Sequence, residues 1–403
     1  MNKYFTSNDP AQCCGCRACE QVCGRKAISF SENGEGFLYP QIDSDKCVNC
    51  GLCEKVCPIA NAEQNKLNEG ATWAAQNQNL EDLKESSSGG GFIAIARYAL
   101  SKGGVVYGAA YDEDHNVVHK RADSFEMLKP IMGSKYVQSD IADTYTQAKK
   151  DLQDGRFVYF TGTPCQIAGL KLFLRKDYAN LLTSDVICHG TPSAKIFQNT
   201  ISHIKKVEKG ELMDYSFRDK RIHGWSCSSS SSWRKGNTKH YLKYSKDMEA
   251  YFKAFISGDL MRMSCYNCPF ATTMRVGDIT LADHWGIRKE HPDFKEIRHG
   301  VSLIIVNSEK GSEIWGELEK QFNVIPISID EASRHNHNLH SATPLTPSRE
   351  VSYNLAFNDY TGFVEKYYEG NYIKNRIKVE VEFFIRRHER LFRLISKLAH
   401  VNK

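Results

Sequence analysis

Cysteine is the residue that this sequence repeats in a fixed pattern. Of its fourteen cysteines, eight form two runs near the N-terminus with the same spacing of three, three and four residues. The first run is Cys13, Cys16, Cys19 and Cys23, and the second, 34 residues later, is Cys47, Cys50, Cys53 and Cys57. The first residues of the 403-residue chain have no apolar segment of the kind found in secretory signals. Closely spaced cysteines in a chain without a secretory signal favour binding of a metal or an iron-sulfur cluster over formation of disulfides.

The spacing within each run suits a [4Fe-4S] cluster. Three closely spaced thiolates bind three corners of a cubane, and the fourth ligand comes from the other run. We therefore predict crossed ligation, with Cys57 completing the first site and Cys23 the second. The predicted ligand sets are Cys13, Cys16, Cys19 and Cys57 for one cluster, and Cys47, Cys50, Cys53 and Cys23 for the other. Zinc is the alternative, although a four-thiolate zinc site usually uses two Cys-x-x-Cys pairs.

The N-terminal region as a whole resembles bacterial two-cluster ferredoxins. Between the two runs, "AISFSENGEGFLYPQID" predicts paired strands around a glycine turn. One departure is Gly24, which stands where a proline often follows the fourth cysteine. Cys14 has no role in the ligation scheme, and we interpret it as an adventitious neighbour of the first run.

A glycine-rich turn opens the next candidate site. The segment "SSSGGGFIAIARYALSKGG" begins with three serines and three glycines and continues with apolar residues at helical spacing. We predict a helix that follows the glycines and ends before Gly103. Backbone amides in such a turn, together with the positive end of a helix, favour a phosphate group. A flexible linker is the alternative, because the string is not the dinucleotide fingerprint.

Further cysteines occur at the ends of predicted strands. "RFVYFTGTPCQIAGLKLFL" predicts a strand, a turn with Cys165 and a helix, while "LLTSDVICHGTPS" predicts a strand followed by Cys188 and His189. Loops at strand ends are where α/β sheets bind ligands. The later segment "SCYNCPF" adds the pair Cys265 and Cys268. The alternatives to cluster ligation are buried free thiols for Cys165 and Cys188, and a zinc site or a redox pair for Cys265 and Cys268.

Seven motifs in one order give a family resemblance. They are "SSSGGGF", "GSKYVQS", "GTPCQIAGL", "DVICHGTPS", "FRDK", "SCYNCPF" and "GDITLADHWG". From about Ser86 to Ser308 the chain resembles the coenzyme F420 hydrogenase/dehydrogenase beta subunit family. The resemblance implies an α/β iron-sulfur flavoprotein that uses FAD to exchange hydride with a substrate and single electrons with clusters. It also favours a third [4Fe-4S] cluster, with Cys165, Cys188, Cys265 and Cys268 as its ligands.

The resemblance also suggests flavin contacts and catalytic candidates. For the flavin these are Ser88, Gly89 and Gly90 at the phosphate or ring, with Lys135 and Tyr136 closing the site. Lys135 could stabilise an anionic reduced ring, with a surface ion pair as the alternative, and His189 could relay protons, with a structural role as the alternative. Candidates for the substrate side are Asp278, Asp283 and His284. We interpret the remaining Cys227 as structural.

We predict an α/β protein with three parts. These are an α+β ferredoxin-like module at residues 1–62, a larger α/β flavin and iron-sulfur domain at 63–345, and a basic helical extension at 346–403. Apolar residues of the extension at positions 384, 391, 395 and 398 share one helical stripe. Packing on the protein or on a partner is one interpretation of this stripe, and contact with an anionic membrane surface is the other.

Charge and composition restrict the classes of function. The formal net charge is +5, of which residues 371–403 contribute +6, so the remainder is nearly neutral and does not predict nucleic-acid binding. We expect a cytoplasmic oxidoreductase that exchanges electrons with ferredoxin or another redox protein and hydride with coenzyme F420 or another small molecule. The alternatives are an electron-carrier subunit without its own substrate and a zinc-bearing structural protein. The substrate and the direction of electron flow are open at this point.

Overall fold

The computed structural model describes residues 3–294 and 296–388. It begins with the short helices α1 (Lys3–Ser7), α2 (Ala18–Val22) and α3 (Leu52–Lys55), and with the strands β1 (Ile28–Glu32) and β2 (Leu38–Ile42). The two strands form an antiparallel hairpin in which Ile28 lies opposite Ile42. At its tip Gly36 has a φ of +80°, which glycine adopts without steric cost. The prediction of paired strands around a glycine turn is therefore confirmed.

Two further sheets follow the N-terminal hairpin. Their strands are β3 (Ala71–Asn77), β4 (Val105–Tyr111), β5 (Val117–Ala122), β6 (Val158–Gly162), β7 (Leu181–Val186), β8 (Glu211–Ser216), β9 (Ser230–Lys235), β10 (Thr238–Leu242), β11 (Ile279–Asp283), β12 (Ser302–Val306) and β13 (Phe322–Ile327). The larger sheet has the order β13-β3-β12-β11-β7-β6-β4-β5, and the smaller one has the order β10-β9-β8. The larger sheet positions the candidate site.

The centre of the larger sheet is parallel. Strands β4, β6, β7 and β11 run in the same direction, while β5, β12, β3 and β13 pair antiparallel at the two sides. Parallel strands that are covered on both faces have nearly continuous apolar sequences, such as the start of "VYFTG" in β6. Because the carboxyl ends of β6, β7 and β11 lie at one edge, Cys165, Cys188 and Asp283 all come to that edge.

The remaining helices pack on the faces of this sheet, on the smaller sheet or on one another. They are α4 (Leu80–Glu85), α5 (Gly91–Ser101), α6 (Phe125–Leu128), α7 (Thr144–Gln153), α8 (Pro164–Leu174), α9 (Ala194–Glu208), α10 (Lys220–His223), α11 (Lys246–Ile256), α12 (Ile287–Glu290), α13 (Glu309–Leu318), α14 (Ile329–Arg334), α15 (Arg349–Asn358), α16 (Tyr360–Tyr367) and α17 (Tyr372–Arg387). Helix α5 follows the glycine turn and ends before Gly103, as predicted. The α/β fold class is confirmed.

Alternating side chains of the strands pack on different helices. In β4, Val106 belongs to a hydrophobic cluster with residues of α5 and α13. Its neighbour Tyr107 belongs to a second cluster with Tyr145 of α7 and Ile167 of α8. This alternation follows from the pleat of the strand, which directs successive side chains to opposite faces. Helices α7 and α8 thus lie on one face of the sheet, and α5 and α13 lie on the other.

One hydrophobic cluster contains residues of all three predicted parts. Phe37 of the N-terminal hairpin, Phe197 of α9 and Phe363 of α16 belong to it. An ion pair adds to this contact, because Arg349 of α15 binds the carboxylate of Glu35 at 2.6 and 2.8 Å. The N-terminal module is therefore packed against the rest of the chain, while the boundaries at residues 62 and 345 stay predictions.

The predicted C-terminal extension is helical in its described part. Helix α17 packs against α10, and its Glu382 lies 2.6 Å from His223. Phe384 on another side of α17 is exposed. Positions 391, 395 and 398 of the predicted apolar stripe lie outside the described residues. Within the part of the chain that the structure describes, no helix is both long and apolar enough to span a bilayer.

Candidate functional site

The four cysteines of the second predicted set line one cavity, which we call the second site. Cys23 follows α2, Cys53 lies in α3, and Cys47 and Cys50 precede that helix. Gly51 has a φ of +73° at the start of α3, a conformation that favours glycine. Burial raises the pKa of Cys53, and the neighbouring thiols Cys47 and Cys50 add to the rise. The structure thus brings one cysteine of the first run to three of the second.

The first predicted set, called the first site, comprises Cys13, Cys16, Cys19 and Cys57. Three of these thiols are buried and Cys13 is half-buried. Burial raises the pKa of Cys19 well above its ordinary value, and the thiols of Cys13 and Cys57 reinforce this effect. Cys57 therefore lies among the thiols of the first run. Each run contributes one thiol to the site of the other, although ligation itself stays a prediction.

Four thiols from three segments meet in a further cavity, the third cavity. Cys165 lies in the first turn of α8, Cys188 follows β7, and Cys265 and Cys268 come from the turn at Met263–Asn267 and just after it. Burial raises the pKa of Cys188, Cys265 and Cys268, the last to about 12. Such a buried thiol becomes a thiolate when a positive metal stabilises its charge. The donor set therefore fits an iron-sulfur cluster.

The thiols in these cavities are spread around the walls. In residues 3–294 and 296–388, no three or more Cys, His, Asp or Glu side chains converge closely enough to hold a single metal ion. In a [4Fe-4S] cubane each thiolate binds a different iron, so the four sulfurs surround a larger group than one ion.

Cys14 lies between the first site and the third cavity. It is 8% exposed, lines the third cavity, and hydrogen-bonds with both Cys16 and Cys165. The hydrogen bond with Cys16 and then burial raise the pKa of Cys14, while the one with Cys165 opposes them. The spacing of the cysteines gave no signal for this position, because it results from the packing of α2 against α8.

The serine-rich turn before α5 lies next to the loop that carries Lys135 and Tyr136. The amide of Ser134 donates to Ser87 Oγ at 2.8 Å. Arg218 joins the two segments, because its Nη1 donates to Tyr136 Oη at 2.9 Å and its Nη2 donates to the Ser87 carbonyl at 3.1 Å. The structure therefore brings the predicted flavin motifs together. Arg218 belongs to the "FRDK" motif, to which the sequence assigned no role.

Gly89 and Gly90 pack closely against the larger sheet. The amide of Gly89 donates to Ser302 Oγ at 2.9 Å, and a Cβ at this position would lie 2.3 Å from the carbonyl oxygen of Ala75. Gly90 has a φ of +85°. Close packing and backbone conformation thus account for the two glycines. Ser88 beside them is half-buried, and contact of the three residues with a flavin stays a prediction.

The two residues predicted to close the flavin site have different surroundings. Lys135 Nζ donates to the carbonyls of Pro130 and Met132 at 2.7 and 2.8 Å. Loss of hydration lowers the pKa of Lys135 to about 7. The ring of Tyr136 packs against Phe255 with 4.9 Å between centroids. Tyr136 therefore lies at the site that Arg218 organises, and the amine of Lys135 is bound within its own loop.

Arg218, Asp283, Tyr136, Trp225 and Trp285 form a group that we call the Arg218 site. Arg218 contacts both carboxylate oxygens of Asp283 at 2.8 and 3.0 Å, and Trp225 Nε1 donates to the same carboxylate at 2.6 Å. Trp225 and Trp285 stack with centroids 5.1 Å apart and 2° between their planes. The guanidinium lies 5.1 Å from the Trp285 centroid. A cation beside stacked rings suits a planar or anionic group.

Lys220, two residues after Arg218, holds the serine-rich turn in place. Its Nζ donates to the carbonyl oxygens of Leu83, Ser88 and His299 at 2.7, 2.5 and 2.5 Å. Burial lowers the pKa of Lys220 to about 7, and the nearby Arg218 adds to this effect. Both cations of the "FRDK" motif therefore position the backbone of the predicted flavin turn.

Two family models match the sequence. Residues 12–61 match the 4Fe-4S dicluster domain, and residues 155–329 match the C terminus of the coenzyme F420 hydrogenase/dehydrogenase beta subunit. The second match contains Arg218, Asp283 and the four thiols of the third cavity. This part of the chain belongs to the coenzyme F420 hydrogenase/dehydrogenase beta subunit family. The matches confirm the resemblance, and the dicluster domain confirms the prediction of two N-terminal [4Fe-4S] clusters.

A solved structure is also similar to this chain. It is a chain of the xenon-derivatised F420-reducing [NiFe] hydrogenase complex from Methanosarcina barkeri. The two chains are 16% identical with a TM-score of 0.43, and the alignment covers 75% of this chain and 90% of the other. No curated protein matches the sequence significantly.

His189 of the beta subunit domain lies at the wall of the third cavity. Its Nε2 lies 3.0 Å from the carbonyl oxygen of Ile256, and its Nδ1 lies 3.2 Å from Thr343 Oγ1. Its ring packs against Phe255 with 5.2 Å between centroids. Both ring nitrogens therefore have partners within the protein, and proton relay by His189 stays a prediction.

Of the three predicted substrate-side residues in the beta subunit domain, Asp283 contacts Arg218. Asp278 precedes β11, whereas Asp283 ends it. Asp278 accepts hydrogen bonds from the Thr183 amide and hydroxyl at 2.8 and 2.6 Å. His284 is fully buried, and its Nε2 lies 3.1 Å from Glu331 Oε1. The structure thus gives Asp278 and His284 partners away from Arg218.

Cys227 also lies beside the Arg218 site of the beta subunit domain. Burial raises its pKa, and Arg218 and Asp283 are among the charged groups that act on its thiol. The sequence interpretation of Cys227 as a structural residue did not predict this location. No local pattern around "WSCSSS" could have indicated it, because Asp283 is distant in the chain.

Proposed function

We propose that the protein is an iron-sulfur flavoprotein oxidoreductase. It would pass electrons between [4Fe-4S] clusters and FAD, and exchange hydride with coenzyme F420 or a similar small molecule. The observation that carries this proposal is a series of touching rings. His189 at the third cavity packs on Phe255, which packs on Tyr136, whose hydroxyl binds Arg218. The cysteine cavity and the candidate flavin site are therefore neighbours.

Contacts on the other side of the third cavity lead to the N-terminal module. Cys14 hydrogen-bonds with Cys16 of the first site and with Cys165 of the third cavity. Cys53 of the second site is among the charged neighbours that raise the pKa of Cys19 in the first site. The described contacts thus support an order of second site, first site, third cavity and Arg218 site.

The Arg218 site has the groups that a flavin would need. A flavin supplies the conversion between two-electron hydride transfer and one-electron transfer to clusters. Arg218 provides a permanent positive charge for a phosphate or an anionic ring. Trp225 and Trp285 provide planar apolar surface beside it. The amides at the start of α5 lie next to this charge, because Arg218 and Lys220 both bind the serine-rich turn.

We further propose that a ferredoxin or another redox subunit docks near the second site. Cys50 is exposed, and the neighbouring Val48 is 59% exposed. A cluster near the surface lets a partner exchange electrons with it directly. A cytoplasmic location is part of the proposal, since thiols stay reduced there.

The test is anaerobic reconstitution of the full chain, followed by measurement of iron, sulfide and flavin. We expect about twelve irons, as for three cubanes, and one flavin per chain. Reduced F420, NADH and reduced ferredoxin would then be compared as electron donors. Cubane signals without any bound flavin would make the protein an electron carrier, and zinc without sulfide would contradict the whole proposal.

A variant of the Arg218 site tests the flavin assignment separately. Arg218→Gln is expected to reduce the flavin content at least tenfold, while the iron content stays unchanged. Arg234→Gln is the matched control, because Arg234 is an exposed arginine of the smaller sheet. Retention of flavin by both variants would place the cofactor elsewhere.

Contact of the C-terminal extension with an anionic membrane surface is a separate proposal. Ile377, Val381 and Phe384 of α17 are 58%, 50% and 57% exposed, and residues 371–403 have a net charge of +6. We expect the full chain to sediment with phosphatidylserine vesicles and the double variant V381E/F384E to stay in solution. Leu80→Glu, at another exposed apolar position, is the control. Equal sedimentation of all three proteins would contradict this role.

A further inference from the structure

Arg262 is a buried cation at the junction between the N-terminal module and the third cavity. Its side chain is 1% exposed and lines that cavity. Its Nε donates to the carbonyl oxygen of Cys13 at 2.7 Å, and its Nη2 donates to the carbonyl oxygen of Leu38 at 2.9 Å. Nη1 donates to Gln138 Oε1 at 3.1 Å. Each nitrogen of the guanidinium thus donates a hydrogen bond, and two of these three bonds reach the first site or the N-terminal hairpin.

Other buried arginines of this protein have a carboxylate partner. Arg218 pairs with Asp283, Arg275 with Asp185, and Arg349 with Glu35. For Arg262 the described residues, 3–294 and 296–388, provide carbonyls, an amide and aromatic rings, but no ion pair. A buried charge without a counter-charge is strongly disfavoured. Such a site indicates that the counter-charge is another kind of group.

Thiols of two cysteine sets lie beside Arg262, and they would carry negative charge as thiolates when a cluster binds. Arg262 Nη2 lies 3.6 Å from Cys13 Sγ. Although burial opposes the charge of Arg262, Cys13, Cys14 and Cys265 are among the groups that raise its pKa. The charge of Arg262 in turn acts on the thiol of Cys165. The guanidinium therefore lies beside both the first site and the third cavity.

The second site differs from the other two cysteine sets in the positive charges near it. The groups that act most strongly on the thiol of Cys53 are other thiols and nearby backbone amides, and Arg262 is not among them. The cavity of the second site is lined instead by Arg25, which is exposed. A charge in contact with water is screened, whereas a charge in the interior acts strongly over several ångströms. The three cysteine sets therefore differ in the positive charge that they experience.

We propose that Arg262 is a positioning residue for electron transfer, whose buried positive charge raises the reduction potentials of clusters at the first site and in the third cavity. The inference rests on the proposed function, because it needs clusters at both places. On reduction each cluster takes one electron from an external donor and gains one negative charge. The guanidinium stabilises this added charge. Electrons that enter at the exposed second site are thereby drawn towards the interior.

The test is a redox titration of the anaerobically reconstituted full chain with dithionite, followed by paramagnetic resonance. The signals are assigned with Cys50→Ser and Cys265→Ser. We expect Arg262→Gln to change the equilibrium of the first and third clusters about tenfold towards the oxidised form, which is about 59 mV for one electron. Arg262→Lys keeps the positive charge, so the reduction potentials of the first and third clusters are expected to stay close to those of the wild type. Arg25→Gln is the control. It should change only the reduction potential of the second cluster, and that change should be small.

A second variant keeps the arginine and neutralises its charge. Gln138→Glu would place a carboxylate at the oxygen that Arg262 Nη1 already contacts, and it is expected to lower the same two potentials. If Arg262→Gln fails to fold, Gln138→Glu still tests whether the charge of Arg262 raises the two reduction potentials. Unchanged potentials in Gln138→Glu, or equal shifts of all three clusters in Arg262→Gln, would overturn the inference. Absence of clusters from the wild-type chain would instead overturn the proposed function.

Discussion

At the residue scale, the Arg218 site depends on one buried ion pair. The side chain of Arg218 is 1% exposed and that of Asp283 is 14% exposed. The carboxylate also accepts a hydrogen bond from Trp225. Two side chains, Arg218 and Trp225, are thereby fixed by a single acid, and the stack of Trp225 on Trp285 depends on it.

We expect Asp283→Asn to lower the free energy of unfolding by about 3–5 kcal/mol, because it leaves a buried guanidinium without its counter-charge. The measurement is urea denaturation without oxygen. Asp123→Asn is the control, since Asp123 pairs with Arg121 in a more exposed place where an ion pair contributes about 0–1 kcal/mol. Similar losses in both variants would show that Asp283 has no special structural role.

The lowered pKa of Lys135 makes the free energy of unfolding depend on pH. Burial lowers its pKa from 10.5 to about 7 in the folded chain. The unfolded chain therefore binds more protons between these two pH values, so this residue makes the free energy of unfolding rise with pH from about 7 upwards. Lys135→Met should remove that part of the rise between pH 7 and 9. The exposed Lys120→Met is the control, and parallel pH profiles of wild type and Lys135→Met would refute the prediction.

At the element scale, the N-terminal hairpin docks on α9 through its turn. Gly36 has a φ of +80°, and a Cβ there would lie 2.4 Å from Lys195 Cβ and 2.5 Å from Ser193 Oγ. Both contacts are with the start of α9. The turn therefore needs glycine for its conformation and for the close approach of the helix.

We expect Gly36→Ala to destabilise the protein by roughly 1–3 kcal/mol, because the new methyl group combines backbone strain with overlap. Gly34→Ala is a matched control in the same turn, since no atom lies within 4 Å of the added Cβ. Thermal unfolding of the two anaerobic proteins gives the comparison. Equal melting temperatures would mean that the hairpin is free to move away from α9.

At the scale of the whole molecule, Cys14 connects the N-terminal module with the beta subunit domain. It interacts with Cys16 and Cys165, and in the proposed arrangement it would lie beside two clusters without ligating either. We expect Cys14→Ala to retain about twelve irons per chain, whereas Cys165→Ala should lose about four, one cubane. Quantification of iron and sulfide after reconstitution distinguishes these outcomes. Loss of four irons from Cys14→Ala would make Cys14 a ligand.

Local features of the chain were predictable from the sequence. The spacing within each run predicted three cysteines of each N-terminal set, since ligands so close in the chain meet whatever the rest of the fold does, and the repetition of the run predicted the fourth. The helix after Gly90 and the hairpin around Gly36 followed from residue types within a few positions. The family resemblance added the four cysteines that line the third cavity.

Only the tertiary structure decided how these parts meet. Arg218 and Asp283 are 65 residues apart, and Arg262 is 249 residues from Cys13, so no local pattern indicates either contact. The position of Cys14 follows from the packing of α2 against α8. Ligand spacing is a property of the covalent chain over a few residues, whereas pairing of buried charges results from the packing of distant segments, and one sequence records the first far more directly than the second.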